Sequence, residues 1–263
     1  MARGPGYLSR QVVCASRQRE SLRTTEHRPF PLPDRKWSGS QTWEHLLFAH
    51  WVVDPERLRR LVPSGLELDL WEGQAWIAVT PFLLTGLRMR LLPRIPGISR
   101  FLETNVRTYV RRGGRGGIYF FSLDATSRPA VHGARLLNDL PYRHARGSIR
   151  VTGRSIDYAI RRTDARFPPA RLAAQYSAQG DAEEPARGSL EHFLVERYCL
   201  YAVRKSGEIM RTDIHHAPWR VHRAHGELRH ADLLPPEFGK PSGPALLHVA
   251  RRQDVLVWPP TEA

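Results

Sequence analysis

A carboxylate, an amide, a guanidinium and a phenol alternate along the segment 101–110. They belong to Glu103, Asn105, Arg107 and Tyr109. Residues two apart in an extended strand point to the same side, so these four side chains share one face. A strand usually turns its apolar face inward and its polar face to solvent. If this polar face instead points into a barrel, it forms a site for a small polar ligand.

The acidic and basic members of this face suggest different roles. Glu103, buried beside Arg107, could position or protonate a ligand; the alternative is a structural ion pair between strands. Arg107 and Arg143 are candidates for bidentate binding of a substrate carboxylate. The alternative for both is that they are exposed arginines of an arginine-rich chain. We assign Asn105 to the same binding site.

Histidines offer a second source of acid–base chemistry. His144 could act as acid or base near neutral pH, and we assign it a catalytic role with Glu103. Adjacent strand residues face opposite ways, so Arg143 and His144 cannot both point inward in a regular strand. By the same alternation one residue of the pair 215–216 faces the site. We assign His216, with Trp219 closing the site.

The remaining histidines carry less weight. His50 lies in an apolar strand, where a buried histidine most often satisfies a backbone carbonyl. The spacing of His222, His225 and His230 fits no zinc pattern. We therefore predict no metal and no cofactor.

Composition limits the classes of partner. The formal net charge of +14 invites a nucleic-acid partner. However, Lys36, Lys205 and Lys240 are the only lysines among 40 basic residues, a ratio that codon bias in a GC-rich genome produces. The arginines are also spread along the chain rather than clustered. We therefore do not expect a nucleic-acid partner.

The chain is long enough to fold without crosslinks. Its 263 residues can bury roughly 75% of the unfolded surface. Cys14 and Cys199 form no disulfide framework, which fits a reducing cytoplasm. No apolar run approaches the ~20 residues of a membrane span. We predict a cytoplasmic protein with a disordered basic extension over 1–40 and a single domain over 41–263.

Hydrophobic periodicity predicts many short strands and few helices. The predicted helices cover 54–62, 129–139 and 189–196. The predicted hairpins are 66–71 with 75–84, 106–111 with 118–123, 142–151 with 155–162, and 198–205 with 208–216; further strands are 43–53, 170–178 and 246–258, and 180–188 is an acidic loop. This order predicts an α+β fold, mostly antiparallel, as a closed barrel or bent sheet.

Several segments together resemble one family. They are Phe48–Asp69, Asn105–Arg111, Tyr119–Asp124, Gly188–Glu191, Glu196–Tyr198, His215–Trp219 and Asp254–Pro260. In this order they are similar to the YqjF-like family of uncharacterised bacterial proteins, over about residues 43 to 260. The resemblance implies the fold of acetoacetate decarboxylase, a closed β-rich barrel with a small-molecule cavity. Those relatives assemble, so a homo-oligomer is possible.

The chain departs from the decarboxylase at one functional position. Where that enzyme places a Schiff-base lysine, this chain has Leu140-Pro-Tyr-Arg-His144, so Tyr142 or Arg143 fills the position. An arginine does not lose its proton, and a phenol does not form an imine. Lys205 and Lys240 adjoin glycine turns or loops. We therefore predict that the protein does not perform imine-dependent decarboxylation, and we assign Tyr142 to substrate binding.

Two functions remain open at this point. The first is an enzyme that acts on a small oxo- or hydroxy-acid without a Schiff-base lysine, by lyase-like or proton-transfer chemistry. The second is a non-catalytic barrel that binds or senses a small molecule. In both cases the expected partner is a small molecule, with a carboxylic acid as the favoured class.

Overall fold

The computed structural model describes residues 17, 18, 20–92, 95, 98–238 and 243–263. The strands are β1 Gly39–Val53, β2 Glu67–Leu68, β3 Ala75–Met89, β4 Arg100–Arg112, β5 Arg115–Ala125, β6 Tyr142–Thr152, β7 Ser155–Arg162, β8 Arg171–Glu183, β9 Cys199–Val203, β10 Ile209–His215, β11 Val221–Arg229, β12 Leu246–Val257 and β13 Thr261–Glu262. The helices are α1 Pro55–Leu61, α2 Arg128–Asn138 and α3 Leu190–Val195, with a 3-10 turn at Pro236–Phe238.

Local sequence explains where the helices begin. Asp54 caps α1 because its side chain accepts hydrogen bonds from the backbone N–H groups of Glu56 and Arg57, and Pro55 occupies the first helical position. Ser127 and Ser189 cap α2 and α3 in the same way. The three predicted helices are confirmed, with bounds that differ by one or two residues.

The strand pairings close on themselves. β1 pairs with β3, β3 with β4, β4 with β5, β5 with β9, β9 with β10, β10 with β12, and β12 with β1. A second run, β6-β7-β8-β11, leads from β5 back to β12. Only the β5–β6 and β5–β9 pairings are parallel among the described strands. The predicted α+β fold with a bent, mostly antiparallel sheet is confirmed.

Three consecutive neighbours in this sheet, β1, β3 and β4, are buried on both faces. One face packs into a core on the side of α3, which we call the α3-side core; it includes Phe48, Trp76, Phe82, Tyr109, Phe120, Leu194 and Trp219. The other face packs against β7 and β8 through residues such as Val79, Val106 and Tyr158. Double burial explains why these strands read as nearly continuous apolar runs.

One predicted hairpin is wrong. Residues 66–71 do not pair with 75–84, and an isolated bridge between Trp71 and Gln74 closes the turn instead. Instead β2 pairs with β4, where Glu67 lies opposite Arg111. The reason is that both edges of β3 are occupied, by β1 and by β4, and leave no edge for β2. The other three predicted hairpins form as expected.

The acidic stretch 180–188 also differs from the prediction. β8 continues to Glu183, which pairs with Val221 of β11. β11 has no counterpart in the sequence prediction because charged and histidine residues fill its exposed positions. This segment forms a strand because it pairs with β8 and β12, and its composition alone does not indicate a strand.

The described part of the expected N-terminal extension contacts the sheet. Arg28 is 8% exposed and its Nη1 donates to the Ile214 carbonyl at 2.8 Å. A ring nitrogen of His27 hydrogen-bonds the His216 carbonyl at 2.9 Å. The composition of the segment predicted disorder over 1–40. It gives no indication of these backbone partners, which lie far away in the sequence. Residues 1–16 lie outside the described residues.

Gly117 allows β5 and β9 to approach each other. A Cβ there would lie 2.7 Å from Cys199 Sγ and 2.8 Å from its carbonyl oxygen. We expect Gly117→Ala to lower the free energy of unfolding by roughly 1–3 kcal/mol in chemical denaturation. Gly133→Ala in α2 is the control, because nothing lies within 4 Å of its Cβ position and alanine favours a helix. Equal losses in both variants would contradict this account.

Candidate active site

The polar face of β4 is buried. Strand alternation places Glu103, Asn105 and Arg107 on the same side as Tyr109, a member of the α3-side core. Glu103 is 3% exposed and Arg107 is 7% exposed. The intervening residues, such as Val106, pack on the opposite face. A carboxyl and a guanidinium are thus enclosed in an otherwise aromatic core.

Glu103 has no cationic partner. Tyr142 Oη donates to its Oε2 at 3.1 Å, and no described arginine or lysine forms an ion pair with it. Burial raises the pKa of Glu103 to about 8, and interactions with the Tyr142 and Asn105 side chains offset this only in part. The carboxyl is therefore mostly protonated at neutral pH and can donate a proton.

Arg107 lies four residues along the strand, roughly 13 Å from Glu103 between Cα atoms. The two side chains form no ion pair. The sequence leaves a structural ion pair of Glu103 as the alternative to a role in the site. Arg107 Nη2 donates to the Leu194 carbonyl at 3.4 Å, and its Nε has no hydrogen-bond partner. The guanidinium packs over the Phe48 ring at 5.3 Å. Burial lowers the pKa of Arg107, but a guanidinium stays protonated.

The end of α3 holds this arginine in place. Leu194 lies in the last turn, where helix carbonyls have no intrahelical partner. Its carbonyl accepts from Tyr109 Oη at 2.9 Å and from Arg107. On the same face, Oδ1 of Asn105 is buried without a partner. The face therefore presents one cation without an ion pair, and polar atoms without a hydrogen-bond partner, among the described residues.

Trp219 lies in the same aromatic core as Arg107 and has an unpaired side-chain nitrogen. Both ring nitrogens of His216 already lie close to backbone carbonyls. The Trp219 ring meets Phe48 edge-on at 5.0 Å, and its Nε1 is buried without a partner. His216 is in contact with Trp219, at 5.3 Å between ring centroids. However, its Nδ1 is 2.8 Å from the Ala217 carbonyl and its Nε2 is 3.2 Å from the Arg197 carbonyl.

The described side-chain contacts of Arg143 and His144 do not include Glu103. Tyr142 points to Glu103, so Arg143 points the other way; its guanidinium lies 4.6 Å from the Phe167 ring and donates to a backbone carbonyl. His144 lies in one row with Glu103 through Ala125 of β5, but its Nδ1 hydrogen-bonds Thr163 Oγ1 at 2.7 Å and its ring lines a surface depression beside α2. The structure therefore brings together Glu103, Asn105, Arg107, Tyr142 and Trp219.

Sequence reasoning passed over His50. It is fully buried, stacks on Phe48 at 5.9 Å and lies 6.2 Å from Tyr109. The Leu246 backbone interacts with its ring, as expected of a buried histidine, but neither ring nitrogen makes a well-formed hydrogen bond to the described residues. The available signal was its spacing, two residues after Phe48 on the same strand face.

The described residues include no buried lysine, no metal-binding cluster and no membrane-spanning helix. Lys36 and Lys205 are exposed, and Lys240 lies outside the described residues. The described part of the chain contains no cluster of three or more histidine, cysteine or acidic residues placed to hold a metal ion. None of its helices has the length and apolar character needed to cross a membrane.

Sequence comparison identifies relatives over nearly the whole chain. The family model DUF2071, described as an uncharacterized conserved protein, matches residues 40–254. The uncharacterized protein YqjF of Bacillus subtilis (strain 168) is 45% identical over 235 residues, which cover 87% of this chain and 93% of YqjF.

Structural comparison identifies the fold. The enduracididine biosynthesis enzyme MppR complexed with pyruvate has a TM-score of 0.60 and 14% identity, covering 89% of this chain and 92% of MppR. Acetoacetate decarboxylase from Legionella pneumophila has a TM-score of 0.58 and 14% identity, covering 90% and 92%. An acetoacetate decarboxylase-like enzyme from Sphingomonas wittichii RW1 has a TM-score of 0.60 and 13% identity, covering 89% and 97%.

The raised pKa of Glu103 makes stability depend on pH. Between its ordinary value of 4.5 and about 8, the folded protein holds a proton that the unfolded chain releases. Wild-type stability therefore falls as pH rises through this range. Glu103→Gln has no such proton, so we expect it to be more stable than wild type above pH ~8, by on the order of a few kcal/mol, and to lose this advantage near pH ~4.5.

Urea denaturation across this pH range measures the effect. Glu67→Gln, at an exposed position on β2, is the matched control and should follow the wild-type curve. If Glu103→Gln also parallels wild type at every pH, the carboxyl does not carry the raised pKa.

Proposed function

The chain belongs to the DUF2071 family, and from its buried polar face we propose that it binds a small oxo- or hydroxy-acid. The observation that carries this proposal is Arg107. A buried cation without a carboxylate partner is costly, and an anionic ligand would neutralise it. The fold supports the ligand class, because MppR, which shares it, is complexed with pyruvate.

The site is also suited to proton transfer. Arg107 binds the carboxylate by charge-assisted hydrogen bonds, and Asn105 and Trp219 offer polar atoms that lack partners. Glu103 in its protonated form, which predominates at neutral pH, donates a proton to the ligand. Its ionised fraction can instead take a proton from the carbon next to the ligand's carbonyl group and return it there. Tyr142 orients the carboxyl through its hydrogen bond to Oε2. No step requires an imine.

A non-catalytic binder is the second candidate. The aromatic rings around Arg107 favour it, since Phe48 and Tyr109 stabilise a guanidinium without supplying any reactive group. The two functions share the binding step and differ in the chemistry. Deuterium exchange at the methyl group of pyruvate in D₂O, followed by NMR, separates them: exchange that Glu103→Gln abolishes supports the enzyme, and binding without exchange supports the binder.

Arg107→Met should weaken acid binding without destabilising the fold. We expect the affinity for pyruvate, acetoacetate or L-lactate to fall by roughly 10- to 150-fold, since hydrogen bonds to charged groups contribute about 1.5–3 kcal/mol. Thermal shift and calorimetry measure stability and binding. Arg150→Met, at an exposed position of β6, is the control. If all three acids bind Arg107→Met and wild type equally, Arg107 is not the carboxylate site; if none binds wild type, the proposed function is wrong.

Binding should weaken at alkaline pH. Above about pH 8 Glu103 ionises, and its negative charge in the same core disfavours an anionic ligand. We expect the affinity for pyruvate to decline as pH rises through this value in wild type and to stay constant in Glu103→Gln. Calorimetric titrations on both sides of this pH measure the change. A decline of the same size in both proteins would assign it to another group.

A further inference from the structure

His50 is buried in a state that the fold alone does not explain. Among the described residues neither of its ring nitrogens makes a well-formed hydrogen bond, although the Leu246 backbone interacts with the ring. A buried polar group without a partner costs roughly 1–3 kcal/mol, and most such groups in proteins are satisfied. His216, equally buried, has protein partners for both nitrogens: its Nε2 is 3.2 Å from the Arg197 carbonyl and its Nδ1 is 3.2 Å from the Gln253 side-chain amide.

Strand register places His50 near Arg107. His50 of β1 lies opposite Ala78 of β3, and Ala78 lies opposite Arg107 of β4. The three residues form one row across the sheet, about 10 Å from end to end between Cα atoms. The central side chain is a single methyl group. The imidazole and the guanidinium therefore flank the smallest side chain of the row.

The charge state of His50 suits a neutral ligand group. Burial and the nearby Arg107 lower the pKa of His50 well below its usual range, so the ring is neutral at physiological pH. A neutral imidazole has one N–H donor and one nitrogen acceptor. It can donate to a carbonyl oxygen or accept from a hydroxyl group, depending on its tautomer.

We propose that His50 contacts the ligand and binds the oxygen next to the carboxylate that Arg107 binds. This inference rests on the proposed function and narrows its ligand to 2-oxo and 2-hydroxy acids. His50 is then a specificity-determining residue. It distinguishes such acids from a plain carboxylic acid of the same length, because only the former place an oxygen between the two side chains.

The test compares pyruvate and L-lactate with propionate, which lacks the second oxygen. Calorimetry should give tighter binding of pyruvate or L-lactate than of propionate by wild type. His50→Phe keeps the ring stacked on Phe48 and removes both nitrogens. We expect it to bind pyruvate and L-lactate at least tenfold more weakly, close to the affinity for propionate, which should itself be unchanged.

Stability separates a ligand role from a structural one. Without ligand, His50→Phe should unfold at the same free energy as wild type or a higher one, because the ring makes no well-formed hydrogen bond to the described residues. His216→Phe is the matched control and should be less stable, because it removes the ring's hydrogen bonds to the Arg197 carbonyl and the Gln253 side-chain amide. If His50→Phe is destabilised as much as His216→Phe, the ligand role is overturned.

The binding outcomes are equally distinct. A stable His50→Phe that binds pyruvate as wild type does would overturn the role of His50 and leave the proposed function standing. Binding of none of the three acids by wild type would overturn the proposed function, and this inference with it. That outcome is visible before any variant is made.

Discussion

Burial of both faces of β4 is the constraint on which the rest of the structure depends. β4 lies between β3 and β5, with one face on the α3-side core and the other against β7 and β8. A polar residue on such a strand cannot reach water. The side chains of Glu103, Asn105 and Arg107 must therefore find partners inside the protein or remain unsatisfied until a ligand supplies them.

Burial affects the carboxyl group of Glu103 and the guanidinium of Arg107 differently. A carboxyl can take up a proton and become neutral, which is why the pKa of Glu103 is raised. A guanidinium cannot lose its proton at physiological pH. The result is a neutral proton donor and an uncompensated cation in one core. This asymmetry, rather than the presence of polar residues, makes the region a candidate site.

The same fold carries different chemistry in different chains. Identity to the acetoacetate decarboxylase-like structures is 13–14%, which is enough to share an architecture and too little to transfer an active site. Tyr142 illustrates the difference: it stands in the segment where a Schiff-base lysine is expected, and it donates a hydrogen bond to Glu103 instead. A buried phenol can orient a carboxyl group, but it cannot form an imine.

The sequence by itself determined the local features: the capped helices, most hairpins, the shared face of Glu103, Asn105 and Arg107, and the family. Capping, turns and strand alternation depend on neighbouring residues, so they are readable from order alone. The tertiary structure decided that this face is buried, that β2 pairs with β4, and that His50 lies in one row with Arg107. Those facts depend on which strands become neighbours, and that is set by packing between segments far apart in the chain.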